Sequence, residues 1–228
     1  MGSDRHATGI IAVVGLAKEA RIARRAGLKP VIGGGDSALL ARRLEEAAEG
    51  AKAVISFGIA GALAPLLKTG DLVIAETVVT ADERYPCDPA WVAVLLAKLP
   101  RARLASIAGV DAIAAHINAK KTQFAKTGGH AVDMESHIAA RFAKAHGLPF
   151  VALRAISDGA DRTLPPAALE PLKANGKPRL TLVLKSVAGD PAQIGELIQT
   201  GREAGTAFRA LLRCRHVLGR GLGCPYLG

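Results

Sequence analysis

GIIAVVGLAKEARIARRAGLKPVIGGGDSALLARRLEEAAEGAKAVISFGIAG, residues 9–61, alternates short apolar runs with longer amphipathic stretches. The apolar runs have the length and composition of buried strands, and they lie at 9–15, 29–35 and 52–61. Between them, 16–27 and 36–50 place apolar residues at helical spacing. This βαβαβ order predicts a parallel or largely parallel sheet with helices on both of its faces.

The rest of the chain continues the alternation. Further strands are predicted at 71–79, 104–110 and 149–156, and further helices near 88–98, 134–146 and 191–213. The segment 159–190 is rich in Pro, Gly and Lys, which predicts a long loop with a short helix inside it. The predicted fold class is therefore α/β, with a three-layer α/β/α arrangement.

Length and composition fit one globular domain. The chain has 228 residues, of which 50% are apolar and 22% charged, so we expect a single domain over 1–228 with a sizeable core. No apolar run approaches the roughly 18 residues of a membrane span, and the first residues lack the apolar segment of a signal peptide. The 3 cysteines form no C-x-x-C pair, as expected for free thiols in a reducing compartment. We therefore expect a cytoplasmic protein without a metal site.

The chain is basic, with 30 basic and 20 acidic residues and a net charge of +10. Only 4% of its residues are aromatic and it has no nucleic-acid-binding motif, so no nucleic-acid partner is expected. After Glu203 the sequence has no acidic residue, but it contains Arg209, Arg213, Arg215 and Arg220. Residues 214–228 fit a flexible basic tail or, with their interleaved leucines, a segment that lies on an anionic membrane.

Residues that directly follow the predicted strands are the first site candidates, because ligands of open α/β sheets bind beyond the carboxyl ends of the strands. VIGGGDS, 31–37, fits either an anion-binding glycine loop or a tight turn capped by Asp36. In SFGIAGAL, 56–63, Gly58 and Gly61 leave little side-chain bulk, so a ligand can touch the backbone there. The same residues also fit a turn whose role is only structural.

AVDMESHIAARFAKAHGLPFVALRAISDGAD, 131–161, places carboxylates at the start of a predicted helix and at the end of a predicted strand. The helix begins near Met134 and Glu135, and the strand ends at Ser157 and Asp158. An α/β layout brings both to the ligand-binding region. Glu135 also fits a first-turn acid favoured by the helix dipole, and Asp158 fits a loop residue or a helix cap. The residues alone leave both interpretations open.

Several segments carry a resemblance to a known family: SFGIAGAL, KTGDLVIAETVV, AGVDA, AVDMESHIAA and LPFVALRAISDGAD. In this order and spacing they resemble the nucleoside phosphorylase and nucleosidase superfamily, which includes the methylthioadenosine/S-adenosylhomocysteine nucleosidases. The pairing of M-E-S at 134–136 with R-A-I-S-D at 154–158 is more specific than any single glycine motif. The resemblance covers nearly the whole chain and implies a mixed, largely parallel central sheet.

A narrower resemblance rests on GLAKEARIA, RYPCDPAW, AVDMESHIAARFAKAHGLPF and the ALLR near the C-terminus. These are similar to the hopanoid-associated phosphorylases, which remove adenine from adenosylhopane. The resemblance implies cleavage of the N-glycosidic bond of a purine nucleoside without a cofactor, with inorganic phosphate as a co-substrate if the enzyme is a phosphorylase. A small soluble nucleoside such as methylthioadenosine is the alternative substrate. A non-catalytic nucleoside-binding module on the same fold is the alternative function.

The resemblance also implies roles for the matching residues. Asp158, with Ser157 beside it, matches the acid that protonates or hydrogen-bonds N7 of the purine, and such an acid must be held neutral to donate at pH 7. Glu135 matches the glutamate that binds the ribose hydroxyls and stabilises positive charge on the sugar, while Met134 packs against the ribose. Glu19, in GLAKEA, is the nearest match to the glutamate that activates the attacking water.

Two other segments match parts of the family pattern with differences. Asp111 and Ile113 match residues that border the base, and Ile113 stands where an aromatic residue is common, which weakens stacking on the base. Gly58, Ile59 and Gly61 lie in the turn that binds phosphate in the classical phosphorylases. Ser56 and Ile59 replace its arginine and serine there. The candidates to replace the missing cation are Arg154, Arg84 and Arg21, and on balance we expect hydrolysis.

A triterpenoid nucleoside would require an open, apolar mouth beside the 5′ end of the ribose. The loop 159–190 and the basic tail are the candidates for this mouth, and we expect them to place the protein at the inner membrane surface as a peripheral protein. The resemblance further implies a homo-oligomer in which a neighbouring subunit often completes the site.

Overall fold

The structure, a computed structural model, describes residues 8–227. Its strands are β1 (Ile10–Val14), β2 (Lys29–Ile32), β3 (Ala53–Ala62), β4 (Leu72–Val79), β5 (Arg84–Pro86), β6 (Arg103–Gly109), β7 (Ala131–Asp133) and β8 (Phe150–Asp158). Its α-helices are α1 (Ala17–Arg25), α2 (Ser37–Ala47), α3 (Pro89–Lys98), α4 (Ile117–Thr127), α5 (Ser136–Ala145), α6 (Leu180–Gly189) and α7 (Ile194–Leu218). Short 3-10 helices lie at Pro166–Ala168, Pro191–Gln193 and Arg220–Gly223.

The strands form one 8-stranded mixed sheet. Parallel pairs join β1 to β2 and β3, β3 to β8, and β6 to β4 and β7. Antiparallel pairs join β3 to β7, and β4 to β5 and β8. The pairings run from β3 through β8, β4, β6 and β7 back to β3, so part of the sheet closes on itself. The predicted α/β class is confirmed, with a mixed sheet and helices on both of its sides.

The centre of the core is the pair of β3 and β8, which run parallel from Val54 opposite Phe150 to Ile59 opposite Ala155. Both strands are buried almost throughout, as are all residues of β1. Strands covered on both faces have no polar side to alternate with, which explains why these segments are nearly continuous apolar runs. The buried side chain that breaks the run in β8 is Arg154.

The helix starts follow ordinary capping chemistry. Asp36 caps α2 by accepting a hydrogen bond from Leu39 N at 2.8 Å, and Asp88 caps α3 by accepting one from Trp91 N at 2.8 Å. Helix α4 was not among the predicted elements. Its buried residues are Lys120 and Thr127, so it lacks the apolar face by which a helix is recognised in a sequence. The segment 159–190 is a loop that contains α6, as predicted.

The C-terminal segment is packed, contrary to the flexible tail that we expected at 214–228. Gly221 N donates a hydrogen bond to Ala26 O at 2.8 Å, and Trp91 Nε1 donates one to Leu222 O at 3.1 Å. Leu222 is fully buried, and Tyr226 Oη donates a hydrogen bond to Asp88 at 2.8 Å. These contacts tie the chain end to α1 and α3, and they were invisible in the sequence because the leucines there are separated by Gly and Arg.

If the C-terminal segment is part of the core, Leu222→Ala should lower the free energy of unfolding by about 2–5 kcal/mol, the usual cost of truncating a buried leucine. Val217→Ala is the matched control, because Val217 lies in the same segment and is 55% exposed. We expect the control to change stability by less than about 0.5 kcal/mol. Urea unfolding of both variants measures the difference, and equal midpoints would contradict a packed chain end.

Candidate active site

A pocket of about 460 Å³ lies where the residues after β1, β3, β7 and β8 meet. The residues that line it include the carboxyl-bearing side chains Glu19, Asp133, Glu135, Asp158 and Glu170. Glu19, Glu135 and Asp158, which the sequence analysis proposed from separate segments, are thus brought to one pocket. No lysine or arginine is among the described residues that line it.

Glu19 is held at the start of α1 by three backbone N–H groups. Its Oε2 accepts hydrogen bonds from Gly15 N at 2.9 Å and Leu16 N at 2.8 Å, and its Oε1 accepts one from Ile59 N at 2.8 Å. A glutamate at the third position of a helix reaches back to the capping residue in this way. Burial raises the pKa of Glu19 above its usual 4.5, although Arg154 and the N–H groups oppose that shift. The carboxyl group is therefore fixed in position and disposed to take up a proton.

Asp133, which the sequence analysis did not single out, caps α5. Its Oδ1 accepts hydrogen bonds from Glu135 N at 2.9 Å and Ser136 N at 2.7 Å. Because Asp133 satisfies these N–H groups, the Glu135 side chain makes no cap hydrogen bond and can face the pocket. The D-x-E-S order at 133–136 was the available signal, since an aspartate commonly binds backbone N–H groups two residues on.

Glu135 is a second acid whose pKa the site raises. Burial raises its pKa to about 8, with Arg154 opposing the shift and the charges of Asp133 and Glu19 adding to it. Gly15 makes room for it, because a Cβ there would lie 2.6 Å from Glu135 Oε1. The segment 31–37, for which the sequence left an anion-binding loop or a capped turn open, forms a turn in which Asp36 caps α2.

Arg154 links the acids from behind the pocket. Its Nε lies 2.8 Å from Asp133 Oδ2, and its Nη2 lies 3.7 Å from Glu135 Oε2. Nη2 also donates hydrogen bonds to Ser56 Oγ at 2.5 Å and Ser136 Oγ at 3.2 Å. Its side chain is fully buried and does not line the pocket. The guanidinium is therefore committed to the protein's own carboxyl and hydroxyl groups.

Gly58 provides the space in which Arg154 and Glu19 approach each other. A Cβ at this position would lie 2.5 Å from Glu19 Oε1 and 2.6 Å from Arg154 Nη1, and Nη1 has no hydrogen-bond partner among the described residues. Gly58 itself does not line the pocket, whereas Ile59 and Gly61 do. Of the three residues that the sequence predicted in this turn, Ile59 and Gly61 therefore line the pocket. Gly58 lies behind it and leaves space for the side chains of Glu19 and Arg154.

Asp158 ends β8 with both of its oxygens engaged. Ser157 Oγ donates a hydrogen bond to Oδ1 at 2.6 Å, and Lys120 Nζ lies 2.5 Å from Oδ2. Gly61 again makes room, because a Cβ there would lie 3.0 Å from Oδ2. Lys120 was not predicted as a site residue, because it stands among other lysines in a segment that gives no signal of burial.

The remaining predicted residues divide between the pocket and its surroundings. Met134, Ser157 and Ile113 line the pocket. Asp111 does not: its side chain is 77% exposed, and its Oδ1 accepts a hydrogen bond from Ser37 Oγ at 2.7 Å and lies 3.2 Å from His137 Nε2. The hydrogen bond from Ser37 is the main cause that lowers the pKa of Asp111. The structure therefore places Asp111 outside the pocket that it was expected to border.

The outer wall of the pocket is largely apolar and comes from the loop before α6. Leu164, Ala168, Leu169, Pro171 and Leu172 line it, together with the acid Glu170. This confirms the loop as part of the pocket. The basic C-terminal tail is not part of it, because Arg215 Nη2 bonds Arg25 O at 2.8 Å and Gly221 bonds Ala26, at the end of α1 that faces away from Gly15 and Leu16.

The arginines proposed as phosphate ligands do not reach the pocket. Arg21 is exposed on α1, and Arg84 lies on β5 in a separate depression beside Tyr85 and Lys144. Arg154 lies nearer to the pocket, but its guanidinium already contacts Asp133 and Ser56. A phosphate group requires charge-assisted donors, and the described lining supplies acids instead.

Two further searches cover the described residues. No group of three or more His, Cys, Asp and Glu side chains within 8–227 is arranged to hold a metal ion. Over the same range, none of the helices combines the length and apolar character of a membrane span.

The fold and the pocket define an α/β protein whose ligand site is built from buried carboxyl groups at strand ends. Residues 14–188 match the Phosphorylase superfamily. The chain belongs to this family.

Solved structures of similar fold include several nucleosidases. Futalosine hydrolase of Helicobacter pylori superposes with a TM-score of 0.59 at 18% identity, over 89% of this chain and 95% of that one. The S-adenosylhomocysteine nucleosidase of Streptococcus pyogenes gives 0.56 at 21% identity, over 90% and 96% of the two chains. The 5′-methylthioadenosine/S-adenosylhomocysteine nucleosidase of Campylobacter jejuni gives 0.60 at 16%, over 90% and 98%. No curated protein matches the chain in sequence.

The raised pKa of Glu135 predicts how stability depends on pH. The unfolded chain releases this proton near pH 4.5, whereas the folded protein keeps it up to about pH 8. The folded state therefore binds more protons between these values, and stability is lost as the pH rises through this window, on the order of 1 kcal/mol per pH unit.

Glu135→Gln cannot ionise, so it should show a shallower loss of stability than the parent protein between pH 5.5 and 7.5. Urea unfolding at several pH values measures the slope. Glu49→Gln, at an exposed position, is the control and should leave the slope unchanged. A Glu135→Gln slope equal to that of the parent protein would show that this carboxyl group ionises normally.

Proposed function

We propose that the protein cleaves the N-glycosidic bond of a purine nucleoside, with water as the attacking group. The observation that carries the proposal is the meeting of Glu19, Glu135 and Asp158 in one pocket. Membership of the Phosphorylase superfamily supports it, as do the printed names of the fold relatives, which are nucleosidases and a futalosine hydrolase. A non-catalytic nucleoside-binding protein is the alternative from another class.

Each acid has a place in this reaction. Asp158, with Ser157, faces the purine and delivers a proton to N7 as the bond from N9 to C1′ of the ribose breaks. Glu135 binds the ribose hydroxyls, and Met134 packs against the sugar. Glu19 takes a proton from the water that attacks C1′. The other lining residues, Ile59, Gly61 and Ile113, shape the wall around the nucleoside. The reaction needs no cofactor.

The electrostatics of the site favour a positively charged sugar. Asp133, Glu135 and Glu19 surround a single guanidinium, that of Arg154. As C1′ gains positive charge in the transition state, those carboxyl groups that are ionised stabilise it, and all of them are already fixed in place before the reaction. The raised pKa of Glu19 also suits a general base, which works best when its pKa is near the working pH.

The composition of the lining argues for water over phosphate. A phosphate bound beside the sugar needs charge-assisted donors, and the described lining contains no lysine or arginine. As the proposed base, an ionised Glu19 would also repel a phosphate, whereas a neutral water molecule has no such cost. We therefore propose hydrolysis, with inorganic phosphate as the co-substrate to test against it.

The first experiment measures adenine release from methylthioadenosine and from adenosylhopane, with and without inorganic phosphate. We expect release that phosphate does not accelerate. Asp158→Asn should lower the rate by about 10²–10⁴-fold, because an amide cannot pass on a proton. Asp161→Asn, a change of the same chemistry three residues on and outside the pocket lining, is the matched control. Phosphate-dependent release would show a phosphorylase. Nucleoside binding without any base release would show a binding module.

We propose further that the substrate carries an apolar group at its 5′ end, as adenosylhopane does. The support is the set of apolar side chains that the loop 159–190 adds to the pocket lining, Leu164, Leu169, Pro171 and Leu172, beside its single acid, Glu170. A large hydrocarbon group would extend along Leu169, Pro171 and Leu172 towards the outside. Higher activity on methylthioadenosine than on adenosylhopane would instead identify a small soluble nucleoside as the substrate.

A lipid-linked substrate requires access to a membrane, and α6 is the surface that we propose for it. None of its residues is buried, although its sequence LTLVLKSVAG is largely apolar. Leu180 and Leu184, one turn apart, are each 68% exposed. The flanking cations Lys173, Lys177, Arg179 and Lys185 are exposed too, and 171–189 contains no acidic residue. Apolar side chains beside cations fit an anionic bilayer surface.

A second copy of the chain is a less suitable partner for α6. A symmetric dimer would set the same patch against itself, so the cations of 173–185 would face their own copies. An anionic lipid surface complements them instead. We keep the homo-oligomer as a separate prediction, with its interface elsewhere on the protein.

Flotation with vesicles that contain phosphatidylserine tests this surface. The parent protein should float, and the pair Leu180→Ser and Leu184→Ser should reduce binding at least tenfold, since each loses the burial of a leucine. The matched control is the pair Arg24→Gln and Arg25→Gln, two exposed residues at the far end of the protein. Light scattering of the same variants gives their oligomeric state. A parent that does not float, or a leucine variant that floats normally but becomes monomeric, would contradict membrane docking.

A further inference from the structure

Lys120 is a buried lysine that has no assigned role in the proposed reaction. Its side chain is 1% exposed, and its Nζ lies 2.5 Å from Asp158 Oδ2 and 2.6 Å from Gly159 O. It comes from α4, whereas its neighbours there, Lys121 and Lys126, are exposed. Lys120 does not line the pocket, so its ammonium lies behind Asp158 and reaches the ligand only through that carboxyl group.

Stability alone does not account for this pair. Burying an ammonium and a carboxylate removes both from water, and well-packed apolar residues in place of such a pair are often as stable or more stable. The side chain that α4 buries deepest is nevertheless this lysine. The contact links the interior of α4 to the one acid that the proposed function assigns to the purine.

The pair can store one proton for transfer. An ammonium in contact with a carboxylate holds the same number of protons as an amine in contact with a carboxylic acid, so the proton can sit on either Nζ or Oδ2. The other oxygen of Asp158 is occupied by Ser157 Oγ at 2.6 Å. Of the described residues, Lys120 is therefore the cation that directly contacts this carboxyl group.

We infer that Lys120 supplies the proton that the leaving purine receives, and that it does so through Asp158. This inference rests on the proposed function. As the bond between C1′ and N9 breaks, its electron pair goes to the purine, N7 takes a proton from Asp158, and Asp158 takes one from Lys120 Nζ. Water adds to C1′ and gives its proton to Glu19. Lys120 is left as an amine and regains a proton from solvent after the base departs.

The test separates proton supply from a structural role by comparing turnover with binding. Turnover is kcat for the nucleoside that the parent protein cleaves fastest. Binding is Kd for 5′-methylthiotubercidin, in which a carbon replaces N7, so the analogue accepts no proton there. Lys120→Met should lower kcat by about 100-fold, within the usual contribution of a general acid, and change Kd by less than about threefold.

Lys120→Arg is the second variant, because a guanidinium keeps the positive charge beside Asp158 but does not release its proton in proteins. We expect its kcat to stay low with Kd unchanged. Lys121→Met is the matched control, at an exposed neighbouring position, and should behave like the parent protein. Thermal unfolding of all three variants confirms that each is folded at the assay temperature.

Each other outcome overturns the inference. An unchanged kcat in Lys120→Met would show that Asp158 acts alone, and a restored kcat in Lys120→Arg would show that the charge, not the proton, matters. Parallel losses of kcat and binding, or a variant that does not fold, would make Lys120 a structural residue. If the parent protein releases no base from any nucleoside, it is the proposed function that fails.

Discussion

The ion pair between Arg154 and Asp133 is the contact on which the site depends. It joins the middle of β8 to the last residue of β7, and the Nε to Oδ2 distance is 2.8 Å with both side chains buried. Arg154 compensates the negative charge of Asp133, which caps α5 by accepting hydrogen bonds from two backbone N–H groups. Because Asp133 caps the helix, the Glu135 side chain makes no cap hydrogen bond. An apolar residue at 154 would leave three buried acids without a cation, a situation that proteins avoid by neutralising the acids.

One guanidinium among three carboxyl groups also sets the chemistry. Burial raises the pKa of Glu19 and Glu135, and the single cation only partly opposes it, so the site holds protons at pH values where exposed carboxyl groups have lost them. In the reaction that we propose, a site with this balance binds a neutral sugar and stabilises positive charge on it through its ionised carboxyl groups. The other acid of the proposed reaction, Asp158, has its own cation in Lys120.

The sequence predicted the parts of the site that directly follow regular strands. βα alternation pointed to the segments that hold Glu19, Glu135, Ser157 and Asp158, and the resemblance of the M-E-S and S-D segments to the superfamily implied the roles of these residues. Lys120 could not be predicted, because its role arises from a partner 38 residues away, which local patterns do not encode. For Asp133, the D-x-E-S order was a local signal of capping, but its ion pair with Arg154, 21 residues away, was not visible. Asp111 shows the reverse error: it lies at a strand end as expected, but its contacts with Ser37 and His137 keep it outside the pocket. The closed part of the sheet was also beyond prediction, since short strands such as β7 give little periodic signal.

The direction of the chain also limits how the protein can meet a membrane. Helix α7 begins beside the loop that lines the pocket and, with 25 residues, extends about 37 Å before the packed C-terminal segment starts. A bilayer that bound only the arginines at its far end would leave the mouth of the pocket, beside the start of α7, away from the lipid. A substrate whose apolar tail stays in the bilayer needs the mouth against the lipid, so the docking surface that we propose is on the side of 159–190 and α6. The net charge of +10 does not by itself indicate which surface would meet a membrane. The exposed leucines of α6 are what favour the surface that we propose.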